Sequence, residues 1–322
     1  MGNILFKFFP SLFTPLDEEN SDDESYNGDV LFDGVPVEEE PVEEEPVEEK
    51  PVEEEPVEEE PVLNKTYFSS AKKKALLIGI NYNEDHYKDD DLNGCVNDLN
   101  NLKEFLKDLD FKREDIVTLT NGEATKERIQ DEILNLSSFS HENPGSNIWL
   151  SYSGHGAQID TLFNSEVKCE IICPSDYMYN GVIKDDWIEA NFVRLLHPDT
   201  NAFALMDCCN SGSNLNLPFK YDSQNKSALN DSGYSKSEID SLCNIVKISG
   251  CRDDQTSADY YDRKFNEFQG ALTNAFLTTS ISNPKSILQF YLNILENLKV
   301  RNFTQRPVLS FTRDNLIDTD LY

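Results

Sequence analysis

Mainly apolar runs alternate with helically spaced apolar positions over residues 72–322, and this alternation predicts the fold. Six runs predict strands, at 75–80, 115–119, 148–152, 202–206, 245–249 and 308–311. Helical spacing predicts helices at 92–109, 271–281 and 286–298, and Thr125 is a suitable cap for a further helix through Leu136. Such alternation predicts an α/β fold, with a mostly parallel central sheet of about six strands flanked by helices on both faces.

Two segments lack this pattern. Residues 218–240 are rich in Ser, Asn, Asp and Lys, which indicates a mobile loop between a large half (72–217) and a small half (241–322). Residues 17–71 are interpreted as a disordered acidic linker, because the Pro-Val-Glu-Glu-Glu repeat over 36–60 forbids a continuous helix and its dense like charge opposes collapse. An extended, solvated spacer is favoured over a binding role for this linker.

Residues 1–16 form an apolar N-terminal segment that is too short and too often interrupted by proline to span a bilayer. The segment also lacks the small-residue cleavage site of a secretory signal. Three interpretations remain open: an unstructured hydrophobic end, a weak membrane contact, or myristoylation at Gly2, where Phe6 replaces the preferred Ser or Thr.

The net charge of −32 is unevenly distributed along the 322 residues. Residues 1–60 contain 22 acidic and two basic residues, whereas the rest of the chain contains 38 acidic and 26 basic residues. Because no continuous basic surface is available to neutralise phosphates, the composition argues against nucleic acid as a partner. Seven cysteines without a paired CxxC spacing, and only four histidines, argue against zinc and favour reduced thiols. We expect a cytoplasmic monomer.

A nucleophile and a base follow two of the predicted strands. His155 lies in Ser-Gly-His-Gly after the run at 148–152, and Cys209 lies in Asp-Cys-Cys-Asn-Ser-Gly after the run at 202–206. Reactive groups gather beyond the carboxyl ends of the strands in an open α/β sheet, and an imidazole beside a thiol promotes the thiolate. The pair predicts a cysteine hydrolase, with the amides of Gly156 and Cys209 as oxyanion donors. Cys208 is a competing nucleophile that these residues alone do not exclude.

Five ordered motifs resemble those of metacaspases, which are caspase-like cysteine peptidases. The similar stretches lie at 75–82, 92–98, 152–156, 207–213 and 249–259, within a resemblance that covers roughly residues 74–310. The resemblance implies a caspase-like fold, Cys209 as the nucleophile and His155 as the base. It also implies cleavage after Arg or Lys, with a specificity pocket formed by Cys95, Asp98, Ser153 and Asp207. The short connection between the two halves is similar to the type I arrangement.

A calcium site is a further implication of the resemblance. Its matching positions are Cys169, Asp185, Asp186 and Asn216, so a thiol and an amide stand where the family has carboxylates. Calcium prefers oxygen ligands, and we therefore expect a weakened site, for which Glu170 is a candidate substitute ligand. The alternative is that Asp185 and Asp186 only cap a helix that opens at Trp187.

The leading hypothesis is an endopeptidase that cleaves protein or peptide substrates after Arg or Lys. Self-processing is expected within 218–240, where Lys220, Lys226 and Lys236 are candidate sites. The alternative is a non-catalytic caspase-like scaffold that binds protein partners, which the departures at Cys169, Asn210 and Asn216 favour.

Overall fold

The computed structural model describes residues 67–70, 72–83, 91–161, 164–209, 215–222, 227–230, 233–250, 259–263, 266–280 and 286–320. The predicted apolar segment at 1–16 and most of the acidic linker lie outside these residues. Within the described ranges, every helix is too short or too polar to cross a membrane.

The elements follow the order that the sequence pattern predicts, with several short strands added. The strands are β1 (Lys73–Gly79), β2 (Ile116–Thr120), β3 (Asn147–Ser153), β4 (Gly156–Thr161), β5 (Asn164–Ile172), β6 (Ile183–Lys184), β7 (Asn201–Asp207), β8 (Phe219–Asp222), β9 (Ser227–Asn230), β10 (Asn244–Ser249), β11 (Asp259–Asp262), β12 (Glu267–Gly270) and β13 (Val308–Phe311). The α-helices are α1 (Cys95–Asp108), α2 (Lys126–Glu142), α3 (Tyr177–Asn180), α4 (Asp185–Ile188), α5 (Lys236–Ser241), α6 (Ala271–Ser280) and α7 (Ile287–Val300).

One eight-stranded sheet, in the order β2-β1-β3-β7-β10-β13-β8-β9, organises the domain. Neighbouring strands are parallel from β2 to β10, and β13, β8 and β9 pair antiparallel at the other edge. All six predicted strands lie in this sheet. The predicted α/β class, with a mostly parallel central sheet, is therefore confirmed.

Side chains that alternate along each strand bury the two faces of the sheet in separate layers. On β1, Leu76 and Ile78 belong to the layer that contains Ile129 and Ile133 of α2. The intervening Leu77 belongs to the opposite layer, which is covered by α1, α6 and α7. Helices on both faces are therefore required to remove this apolar surface from water.

Side-chain caps define where two of these helices begin. Thr125 accepts a hydrogen bond from the backbone N–H of Arg128, as the sequence predicted, so α2 begins directly after it. Ser286 accepts in the same way from Gln289 and starts α7. Both helices therefore begin within one residue of the predicted start, whereas α2 continues to Glu142, past the predicted end at Leu136.

The prediction of a loop throughout 218–240 is wrong. Strands β8 and β9 pair with each other and extend the central sheet, and α5 begins with a capping box in which Ser235 and Glu238 exchange hydrogen bonds. The segment is polar because its strands lie at the edge of the sheet, where fewer side chains are buried. A separate three-stranded sheet of β4, β5 and β6 and the β11–β12 hairpin were also not predicted.

The folded domain begins before residue 72, so the predicted boundary of the linker is also wrong. The side chain of Tyr67 is only 2% exposed, and its hydroxyl donates to the carbonyls of Ala202 (2.7 Å) and Asn244 (2.8 Å). Phe68 is buried beside it and contacts Trp149, with ring centroids 5.8 Å apart. These two aromatic residues belong to the core and not to the acidic linker.

We expect Tyr67→Ala to lower the free energy of unfolding by about 3–5 kcal/mol, because the change removes a buried aromatic ring and leaves two strand carbonyls without their donor. Urea unfolding of the full chain measures the change. Tyr179→Ala is the matched control, since Tyr179 is 88% exposed. Equal stability losses in the two variants would contradict a structural role for Tyr67.

Candidate active site

The pairing of β3 with β7 brings His155 and Cys209 to the same edge of the sheet. The two strands are parallel, and Ser153 at the end of β3 lies opposite Asp207 at the end of β7. His155 and Cys209 each follow two residues later, and both line one cleft. The two residues predicted to form the catalytic pair therefore meet at one site.

The structure distinguishes the two adjacent cysteines. Cys208 is 1% exposed, whereas Cys209 is partly exposed and lines the cleft. A Cβ at Gly156 would lie 2.5 Å from the carbonyl oxygen of Cys209 and 3.1 Å from Sγ of Cys208. Only glycine fits at this position, because the start of β4 approaches the cysteine pair so closely. The accessible thiol is that of Cys209.

The four residues predicted to form the specificity pocket all lie in this cleft. Asp98 on α1 and Asp207 on β7 are only 1% and 5% exposed, respectively. Ser153 donates to Oδ2 of Asp98 (2.8 Å), and the backbone N–H of Gly270 donates to Oδ1 of the same carboxyl (2.9 Å). On the other side, the N–H and hydroxyl of Thr273 each donate to Oδ2 of Asp207 at 2.9 Å.

Burial and like charge oppose ionisation in this pocket. Burial, followed by the nearby carboxylate of Asp207, raises the pKa of Asp98 well above its usual range, although hydrogen bonds from Ser153 and Gly270 partly offset this. Burial, followed by the charge of Asp98, likewise raises the pKa of the Cys95 thiol. A positive charge placed in the cleft would therefore lower the pKa of Asp98 and favour its ionised form.

A third carboxylate, which sequence reasoning missed, lines the same cleft. Asp259 begins β11 opposite Gly270, and its Oδ2 accepts from the N–H of Asn93 (2.7 Å). Its Oδ1 is buried and has no hydrogen-bond partner among the described residues. Burial raises the pKa of Asp259, and hydrogen bonds from Asn93 and Gly94, followed by the charge of His155, partly offset the shift. The sequence feature that could have identified Asp259 was its position as the last residue of the 249–259 motif.

Three of the predicted metal positions converge near α4. One possible ligand atom from each of Cys169, Asp185 and Asp186 lies within 4.8 Å of the others. The Cys169 thiol donates to Oδ1 of Asp185 (3.1 Å), and the backbone N–H of Glu170 donates to Oδ2 (3.1 Å). Burial, followed by Asp185, raises the pKa of this thiol to about 12, and burial also raises the pKa of Asp185.

The fourth predicted ligand, Asn216, is directed to another group. Its amide donates to Oε2 of Glu189 (3.0 Å), a carboxylate that also accepts from Arg194 and Tyr234. A calcium ion takes about six to eight oxygen ligands, whereas this set offers a protonated thiol and two carboxylates. Glu170, the predicted substitute ligand, is not part of this cluster, so the donor set within the described ranges does not fit calcium.

The candidate self-cleavage sites differ in accessibility. Lys220 lies within β8, where it pairs with Ser310 and Leu229, so its backbone belongs to the central sheet. Lys236 is exposed at the first position of α5. Lys226 lies outside the described residues, between β8 and β9.

Replacing Asp98 with Asn should increase the free energy of unfolding, and the gain should grow from pH 5 to pH 8. The native pKa of Asp98 lies above its unfolded value, so the native state holds a proton that the unfolded state releases as pH rises, and stability falls with pH. Urea unfolding at the two pH values measures this, with Asp131→Asn on the exposed face of α2 as the control. A loss of stability in D98N that is largest at pH 8 would contradict the assignment.

Comparison with known proteins agrees with the geometry of the site. Residues 73–218 match the family described as metacaspase, peptidase C14 domain. Metacaspase-1 of Lodderomyces elongisporus is 31% identical over 316 residues, covering 78% of this chain and 67% of that protein. Metacaspase-1 of Candida albicans and of Mycosarcoma maydis are each 30% identical over 78% of this chain, and the matches cover 67% and 72% of those proteins.

Structural comparison concerns the fold alone. A crystal structure of a protein from Geobacter sulfurreducens superposes with a TM-score of 0.54, covering 74% of this chain and 93% of that one at 23% identity. The predicted caspase-like fold is confirmed. The extent of the sequence similarity shows that this chain belongs to the metacaspase family and is a cysteine-type endopeptidase.

Proposed function

We propose that this peptidase cleaves proteins after Arg or Lys, with Cys209 as the nucleophile and His155 as the general base. The observation that carries the proposal is the cleft itself, in which three carboxylates lie beside both residues. Asp98, Asp207 and Asp259 come from three different elements, so no local feature of one segment accounts for their convergence.

The chemistry follows from a thiol and an imidazole at one edge of the sheet. His155 accepts the thiol proton, and the Cys209 thiolate attacks the carbonyl carbon of the scissile bond. The backbone N–H groups of Gly156 and Cys209 stabilise the oxyanion. His155 then protonates the leaving amine, a thioester remains on Cys209, and water activated by His155 hydrolyses it.

Coulomb attraction accounts for the preference for a basic side chain. The charge-assisted hydrogen bonds of a guanidinium or ammonium are stronger than neutral ones, and Oδ1 of Asp259, which accepts no hydrogen bond of normal geometry among the described residues, is a suitable acceptor. An acidic side chain in the same cleft would instead add a like charge to buried carboxylates. Specificity therefore includes rejection of Asp and Glu as well as attraction of Arg and Lys.

Self-processing after Lys226 or Lys236 is part of the proposal. Proteolysis requires a backbone segment that can leave its own fold and enter another active site. The sheet pairing of Lys220 opposes this release. Lys236, on the first turn of a six-residue helix, needs only local unfolding to become accessible.

Cys209→Ala should abolish turnover of an Arg-P1 fluorogenic peptide and the appearance of new N-termini after either lysine. Cys208→Ala should retain most of both activities, because the buried Cys208 does not line the cleft. Peptide hydrolysis and N-terminal sequencing after incubation measure the two outcomes. Activity that survives in Cys209→Ala would refute the assignment of the nucleophile, and an active enzyme that stays intact would refute self-processing.

Asp207→Asn and Asp259→Asn should each lower kcat/KM for Arg and Lys substrates by about tenfold to a hundredfold, because one charge-assisted contact is lost. Both changes preserve side-chain shape, and an Asn at 207 still offers an oxygen to Thr273. A peptide library that varies P1 measures the selectivity of the loss, with Asp131→Asn as the control. An equal loss for neutral P1 residues, or a wild-type preference for Asp, would contradict the pocket.

Calcium independence is the expected consequence of the donor set around Asp185. Where the resemblance implies a metal ion, the Cys169 thiol instead donates a hydrogen bond to Asp185. The Asn216 side chain is hydrogen-bonded to Glu189. The wild-type enzyme should accordingly keep its activity, within about twofold, in a calcium chelator and in millimolar calcium.

A double variant, Cys169→Asp with Asn216→Asp, tests the same explanation by placing carboxylates at the two positions where the family has them. The two added carboxylates should create a calcium-dependent rise in melting temperature that the wild-type protein lacks. Differential scanning calorimetry with calcium or magnesium measures it. A calcium-dependent rise of equal size in the wild-type protein would show that its donor set holds the ion.

A further inference from the structure

Tyr82 has a backbone conformation that a bulky side chain rarely adopts. Its φ is 59°, in the left-handed region, yet its side chain is buried. Such a conformation persists only where the surrounding contacts determine it, and such residues concentrate at functional sites. The contacts made by Tyr82 are therefore informative.

Those contacts hold His155 at two points. The Tyr82 ring lies against the imidazole, with centroids 4.4 Å apart and planes inclined by 30°. The Tyr82 hydroxyl accepts the backbone N–H of His155 (3.0 Å) and donates to the carbonyl of Cys173 (2.5 Å). The hydroxyl of a second tyrosine, Tyr152, lies 3.0 Å from that of Tyr82 and donates to the carbonyl of His155 (2.8 Å).

The backbone around His155 needs such a restraint. Glycines at 154 and 156 give the chain its sharp turn, but they also leave it with more conformational freedom than other residues would. A stacked ring limits rotation of the imidazole, and a hydrogen bond to its own N–H fixes the backbone from which it projects. Small errors in the placement of a general base lower the rate of the chemical step strongly.

We propose that Tyr82 is a positioning residue that orients the imidazole of His155 toward Cys209. The inference rests on the proposed roles of His155 and Cys209, and it adds a residue from the segment after β1 to the active site. Tyr82 is not among the residues that line the cleft, and its proposed effect is exerted through its contacts with His155.

The test compares Tyr82→Leu, which removes the ring and the hydroxyl, with Tyr82→Phe, which removes only the hydroxyl. Active sites are titrated with an Arg chloromethyl ketone, so that kcat refers to folded, competent enzyme. We expect Tyr82→Leu to lower kcat about tenfold to a hundredfold while KM for an Arg-P1 peptide changes little. Tyr82→Phe should recover part of the loss, because the stacked ring is retained.

Tyr67→Phe is the matched control, since it removes a buried tyrosine hydroxyl bonded to two carbonyls at the opposite end of the sheet. It should lower the melting temperature and leave kcat per titrated site unchanged. A wild-type kcat in Tyr82→Leu would overturn the proposal. So would a fall of kcat in Tyr67→Phe as large as the fall in Tyr82→Leu. If Tyr82→Leu does not fold, a wild-type kcat in Tyr82→Phe overturns it.

Two further variants separate this proposal from the proposed function. If Cys209→Ala or His155→Ala keeps its turnover, the catalytic pair is wrong. If both are inactive and the Tyr82 variants have wild-type kcat, only the positioning role fails.

Discussion

The parallel pairing of β3 with β7 is the constraint on which the active site depends. With Ser153 opposite Asp207, the residues that follow both strands emerge at the same level of the sheet edge. A slip of one residue would turn the alternating side chains of one strand to the other face, and the buried layers on both faces oppose it. The apolar core therefore does more than stabilise the domain, because it sets the register that brings His155 and Cys209 to the same edge of the sheet.

The buried carboxylates that we propose as the specificity pocket work against the stability of the same domain. Asp98 and Asp207 are held near each other away from water, where hydrogen bonds from Ser153, Thr273 and the backbone replace only part of their hydration. Gly270 makes this close approach possible, because a Cβ there would lie 2.7 Å from Oδ2 of Asp98. Under the proposed function, a basic substrate side chain places a positive charge beside these buried carboxylates, which favours its binding.

Sequence patterns predicted the elements whose signals are local. The central strands have mainly apolar runs that identify them, and the observed β7 (Asn201–Asp207) extends the predicted run by only one residue at each end. The edge strands β8 and β9 and the β11–β12 hairpin are polar and short, and they depend on pairing with distant partners. Tyr67 was missed for a similar reason, since its burial depends on carbonyls more than a hundred residues away.

The catalytic pair was predicted from the ends of two strands, whereas the pocket was implied only by resemblance to metacaspases. Neither argument identified Asp259, because its place in the cleft depends on the pairing of β11 with Gly270. The same limit applies to Tyr82, which is an unremarkable residue of a strand-end motif until its φ and its contacts with His155 are known.

Covalent labelling tests the central claim most directly. A chloromethyl ketone with Arg at P1 is incubated with the full chain, and mass spectrometry of the digested protein identifies the alkylated residue. The account predicts a single label on Cys209, at a rate that falls sharply in His155→Ala and Asp207→Asn. A label on Cys208 or Cys95, or equally rapid labelling by the reagent with Asp at P1, would contradict it.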